Sequence, residues 1–190
     1  MKFLSNSIMM TKQVIFFHGG GSEGDFEADK KLVDSLKAHL GSSFDVQYPF
    51  LPDDGSPDLG RRRQIGSAIA GSEDGVILVG HSFGASMLLA ALSETEVTRT
   101  IAGIFLIATP FWQGTEDWVE PFKLRPDFAR QIDRRIPLYL YHCLDDEDVP
   151  VEQFAIYKQH LPWATFREIT TGGHQFNDDL GVVAADIAQL

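Results

Sequence analysis

The sequence predicts an α/β fold in a single domain, with about six mostly parallel strands flanked by helices on both faces. Three observations carry this expectation. Strand and helix signals alternate along the whole chain. Several strand segments are unbroken apolar runs, as strands covered on both sides require. The length of 190 residues suits one hydrophobic core. A hydrophobic content of 44% that includes 14 Phe excludes a disordered chain, and the single Cys excludes an intrachain disulfide. Sixteen basic against 27 acidic residues give a net charge of −11, which repels phosphate backbones and anionic bilayers. Neither nucleic acid nor a membrane surface is therefore an expected partner, and oligomeric state is left open.

Each element has a local reason. Gln13-Val14-Ile15-Phe16-Phe17-His18 is apolar and stops at three glycines, which reads as a buried first strand. Leu32, Val33, Leu36 and Leu40 share one face of a helix over residues 28–40. Phe44 to Tyr48 alternates before Pro49 and gives a second strand, followed by a Pro/Asp/Gly loop over residues 51–60. A helix over residues 61–70 carries Ile65 and Ile69 on one side. Residues 75–80 form a fully buried strand and 86–92 an apolar helix. Residues 101–108 and 137–143 give the fourth and fifth strands, 151–160 a helix, 165–169 the sixth strand and 182–190 a closing helix.

Residues 1–12 read as a loose tail and 13–190 as the domain. The pair Met9-Met10 leaves a shorter start open. Ser5-Asn6-Ser7 interrupts any signal-peptide core and no small-residue cleavage site follows, so the expected location is cytoplasmic. Residues 110–136 stand apart as an aromatic-rich, cap-like insertion. Phe111, Trp112, Trp118, Phe122 and Phe128 are spread through it without a clear period. They either cover a cleft and contact an acyl chain or pack as a small cap.

Two motifs carry chemistry. Gly80-His81-Ser82-Phe83-Gly84 matches G-x-S-x-G, and it sits between a buried strand and an apolar helix, the setting that exposes a serine on a sharp, strained turn. An ordinary glycine-rich turn is the plainer reading. His18-Gly19-Gly20-Gly21 ends the first strand, and glycines there let backbone N–H groups approach a ligand oxygen. A flexible turn is the bland alternative. A phosphate cradle would need G-x-x-x-x-G-K-[ST] or G-x-G-x-x-G at this loop, and neither is present.

Together these motifs resemble the α/β-hydrolase superfamily over nearly the whole chain. More narrowly, the chain resembles the small lidless serine hydrolases related to retinoblastoma-binding protein 9. The resemblance implies a catalytic triad in the order Ser, acid, His, with Ser82 as nucleophile. The acid belongs in the turn after the fifth strand, where Asp146 stands four residues before Pro150. Asp145 is the runner-up, and Asp148 reads as a carboxylate near the N-terminus of the next helix. Glu116 and Asp117 after the fourth strand, or a divalent-metal cluster of the four acids 145–148, are further alternatives. The histidine belongs after the last strand, where Gly172-Gly173-His174 lies.

The implied activity is that of a serine esterase acting on a small carboxylic ester or related acyl compound, with no metal or organic cofactor. Gly20 and Phe83 would supply the oxyanion hole, and His18, Gly19, His81, Phe111 and Trp112 would contact substrate. The alternative is a catalytically weak member acting as a binding or regulatory partner. Arg61-Arg62-Arg63 reads as a solvated helix face in preference to an anion site, and Cys143 as a small buried hydrophobe.

Overall fold

The computed structural model describes residues 11–190; the tail and start-site expectations for residues 1–10 lie outside the described residues. Six strands, β1 (Lys12–Phe17), β2 (Phe44–Gln47), β3 (Val76–His81), β4 (Ile101–Ile107), β5 (Leu138–Cys143) and β6 (Thr165–Ile169), form one sheet in the order β2-β1-β3-β4-β5-β6. Every pairing is parallel. The first strand begins at Lys12, one residue earlier than its apolar run suggests, because Lys12 still pairs with Phe44 in β2. Six helices connect and cover the strands: α1 (Glu23–Leu40), α2 (Arg61–Ala70), α3 (Phe83–Glu94), α4 (Phe128–Gln131), α5 (Val151–His160) and α6 (Gly181–Ile187). Among the described residues, no helix is long and apolar enough to cross a membrane.

The period-two alternation of each strand divides the core into two layers. Val14 and Phe16 of β1, Ile77 and Val79 of β3, and Phe105 and Ile107 of β4 pack with Leu32, Val33 and Leu36 of α1 and Val183 and Ile187 of α6. Their neighbours Ile15, Phe17, Leu78, Ile104 and Leu106 face the opposite way, against Ile65 and Ile69 of α2, the apolar residues of α3 from Phe83 to Leu92, and Phe154 and Tyr157 of α5. Both faces are covered, which is why β3 is buried at every position. The edge strands β2 and β6 are short and carry polar residues outward, which discourages further pairing.

Two helices begin earlier than apolar spacing alone indicates. α1 starts at Glu23 because Ser22 and Asp25 form a reciprocal capping box. α3 starts at Phe83, directly on the turn that follows β3. This second displacement matters for the site. α1, following β1, lies on one face of the sheet, whereas α3, following β3, lies on the other. The two connections diverge between adjacent strands and open a crevice at their carboxyl ends, where open α/β sheets bind ligands.

Candidate active site

Ser82 stands at the end of β3 as N-cap of α3, with φ 51° and ψ −124°. That conformation is costly for any residue with a Cβ and turns the side chain out of the strand direction. The turn is possible because its flanks are glycines. A Cβ on Gly80 would stand 2.7 Å from Ala85 Cα, and one on Gly84 would stand 2.3 Å from the His18 carbonyl oxygen and 2.4 Å from that of Phe17. The helix is thereby packed directly against the end of β1.

His174, in the loop after β6, places Nε2 2.9 Å from Ser82 Oγ. Its Nδ1 lies 3.0 Å from both carboxylate oxygens of Asp146, in the turn after β5. A carboxylate can only accept, so Nδ1 carries the proton and Nε2 is left to accept the serine hydroxyl. Asp146 is itself fixed by the backbone N–H groups of Asp148 and Val149, each 2.9 Å from Oδ1. Burial pushes its carboxyl upward, but the bond and charge of His174 and these amide donors outweigh that and hold it below the ordinary carboxylate value. For His174 burial acts downward, yet the Asp146 bond and charge, with Asp148 and Asp29 farther off, raise it above the ordinary histidine value of 6.5.

The glycine loop runs beside this chain of groups. Gly19 N–H donates to Asp29 Oδ2 at 2.8 Å, and Gly21 N–H and Ser22 N–H donate to Asp25 Oδ2 at 3.0 and 2.9 Å. The intervening Gly20 N–H, at φ +54°, has no hydrogen-bond acceptor among the described residues. Phe83 N–H, on the first residue of α3, has no side-chain cap. These two free donors flank Ser82, and the second has the positive end of a 12-residue helix behind it.

A model described as "Alpha/beta hydrolase family" matches residues 14–187. The chain belongs to the alpha/beta hydrolase family. The fold is shared with the product of the ydeN gene of B. subtilis, at TM-score 0.72 and 19% identity, covering 94% of this chain and 98% of that one. It is also similar to the esterase domain of a Rhodothermus marinus protein, at TM-score 0.63 and 20% identity over 97% and 87% of the two chains. A thioesterase domain from the curacin biosynthetic pathway gives TM-score 0.69 and 15% identity over 96% and 92%. No curated protein matches the sequence.

In this alpha/beta hydrolase a cleft of about 720 Å³ opens over Ser82. Gly19, Gly20, His81, Phe83, Phe111, Trp112 and His174 line it, as do Trp118, Val119 and Phe122. Segment 110–136 divides between the cleft and the core. Trp112 and Phe122 pack on Phe83 at the cleft, while Phe128 is buried in the core beneath Phe111. The lining holds the carboxylates of Asp25, Asp29, Glu116 and Asp148 and no Lys or Arg.

Two expectations need correction. His18 does not contact the cleft. It is fully buried, its Nε2 accepts from Leu51 N–H at 3.0 Å, and its ring stacks on Phe50, so it braces the loop from behind. Asp148 lies two residues before Pro150, the N-cap of α5, and its Oδ2 also stands 4.0 Å from His174 Nε2. Asp145, the runner-up acid, accepts from Gly172 N–H and Gly173 N–H, shaping the histidine loop without touching the ring.

The arginine run is the second. Only Arg63 is solvated. Arg61 is fully buried, its Nη2 donating to Gly20 O at 2.7 Å and its Nη1 to Leu51 O. Arg62 pairs with Asp58 and Glu94 and donates to the carbonyls of Pro121 and Lys123, tying the aromatic segment to α2. Helical spacing shows that Arg61 shares a face with Ile65, and that signal was outweighed by charge. Asp29, on the inner face of α1, was also missed, although its spacing from Leu32, Val33 and Leu36 was available to reveal it.

Proposed function

We propose that this protein is a serine hydrolase that cleaves a small carboxylic ester or related acyl compound through an acyl-Ser82 intermediate. The observation that carries the reading is the continuous chain from Ser82 Oγ through the His174 ring to Asp146, at 2.9 and 3.0 Å. A serine hydroxyl is a weak nucleophile at neutral pH and needs an adjacent base. His174 Nε2 takes the Ser82 proton as Oγ attacks the acyl carbon. Asp146 holds the tautomer and stabilises the imidazolium that forms.

The carbonyl oxygen becomes an oxyanion, and Gly20 N–H and Phe83 N–H are the unpaired donors available to it. One such donor is worth about 3–4 kcal/mol of transition-state stabilisation. His174 then gives its proton to the leaving oxygen or sulfur, and the acyl-enzyme is released by water that His174 activates in the same way. Trp112, Trp118, Val119 and Phe122 would receive an apolar acyl or alcohol portion, and Asp25, Glu116 and Asp148 disfavour an anionic one. We further propose kinship, within the family, with the small lidless serine hydrolases related to retinoblastoma-binding protein 9. The burial of Phe128, which makes segment 110–136 part of the body, supports this.

The test is turnover of short-chain aryl esters by the wild type and Ser82→Ala. The proposal expects a loss on the order of 10⁶ in kcat, as removal of a nucleophile costs elsewhere. Equal turnover by the two proteins overturns it. Absent turnover and absent fluorophosphonate labelling of the wild type favour a binding role instead.

A further inference from the structure

A second histidine–carboxylate pair lies behind the first. Asp29 of α1 is 2% exposed and His81, the residue before Ser82, is 1% exposed. Asp29 Oδ2 stands 2.8 Å from His81 Nδ1 and accepts from Gly19 N–H at 2.8 Å; Oδ1 accepts from the Gln175 side-chain amide at 3.2 Å. The other ring nitrogen of His81, Nε2, is 3.0 Å from the backbone carbonyl oxygen of His174. The two imidazoles are neighbours, with centroids 4.9 Å apart.

The partners of His81 fix its chemistry. A carboxylate oxygen and a peptide carbonyl oxygen are both acceptors, so each ring nitrogen must donate, and only a doubly protonated imidazole can donate twice. A neutral ring would turn a lone pair toward one of these nearly buried oxygens, leaving a polar contact unsatisfied. A buried ion pair of this kind adds little net stability over a packed apolar pair, because desolvation offsets attraction. What it does supply is geometry. Asp29 grips the glycine loop, the residue preceding the nucleophile and the residue following His174, while His81 grips the His174 backbone itself.

We propose that Asp29 and doubly protonated His81 are positioning residues that lock the glycine loop and the His174 loop in register with Ser82. This rests on the hydrolase reading above. By holding Gly19 N–H, Asp29 orients the loop so that the next amide, Gly20 N–H, is left free to face a substrate oxygen. By donating to the His174 carbonyl, His81 sets the height of the His174 ring against Ser82 Oγ. Neither residue touches the reacting atoms, and the His81 protons stay in place throughout turnover.

The experiment combines side-chain nitrogen NMR of the wild type with kinetics of Asp29→Asn. At neutral pH the His81 ring is expected to show two nitrogen-bound protons; a single one overturns the proposal, whatever the variant does. In Asp29→Asn, kcat for an aryl ester and the rate of fluorophosphonate labelling are expected to fall about tenfold to a hundredfold, as misplacement of a reacting group on the order of 1 Å does. KM is expected to change less than threefold. Both rates are taken per folded molecule, with the folded fraction read from near-UV circular dichroism. A variant that only melts lower while its folded fraction keeps wild-type kcat refutes positioning. If Asp29→Asn does not fold, the NMR result alone decides. A wild type that shows both His81 protons but neither turnover nor labelling would refute the hydrolase reading and leave the protonation state of His81 standing.

Discussion

The backbone at Ser82 allows a test that separates local strain from chemistry. A residue with a Cβ held at φ 51° and ψ −124° costs about 1–3 kcal/mol, whereas glycine occupies that region freely. Glycine in turn loses more chain entropy on folding, about 0.5–1 kcal/mol relative to alanine. Ser82→Gly should therefore be more stable than Ser82→Ala by the difference of the mid-values, about 1 kcal/mol. Both variants lack Oγ and its bond to His174, so this comparison isolates the backbone. For a domain of this size, 1 kcal/mol corresponds to a shift of about 2–4 °C in melting temperature. Differential scanning calorimetry of the two variants side by side is the assay. A glycine variant that melts at or below the alanine variant would refute the idea that the turn stores strain.

Further expectations concern the same region. Gly84→Ala would press a methyl group against the backbone oxygens of His18 and Phe17, which cannot move without opening β1 from α3; a loss of 3 kcal/mol or more is expected in urea denaturation, and a loss under 1 kcal/mol would contradict the close approach. His174 must be neutral to act as base, and its raised pKa means that kcat/KM should climb with pH through an inflection above 6.5. Asp146→Asn removes the group that raises it, so the inflection should move to lower pH while the rate falls by up to about 10⁴; a pH–rate profile with an unmoved inflection would be inconsistent with this. An ester with a carboxylate at the far end of its acyl chain should react about tenfold more slowly than its neutral isostere, less so at high salt, because Asp25, Glu116 and Asp148 line the cleft and no Lys or Arg does. Equal rates in a competition assay would argue against that.

Much of the fold follows from hydrophobic pattern alone. The unbroken runs at Val76 to Val79 and Ile104 to Ile107 demand strands buried on both faces, and that requirement leads to a parallel sheet between helix layers. Helix starts were harder, because α1 begins in a capping box and α3 in a strained turn, and neither leaves a mark on apolar periodicity. At the site, Ser82, Asp146 and His174 could be located from strand order together with the family resemblance, since each follows a strand end. The supporting residues could not. Arg61, Asp29 and His18 are polar side chains whose partners are backbone groups or residues remote in sequence, and charge alone points such residues to solvent. Helical spacing turns Arg61 and Asp29 inward, but their partners become visible only when the strand ends are brought together.

The most direct measurement is the intact mass of the protein after exposure to an activated ester whose acyl group leaves slowly. The hydrolase reading predicts a mass increase of one acyl group on the wild type, mapped by peptide fragmentation to Ser82 and missing from Ser82→Ala. Hydrolysis that proceeds at full rate while Ser82 stays unmodified would contradict it.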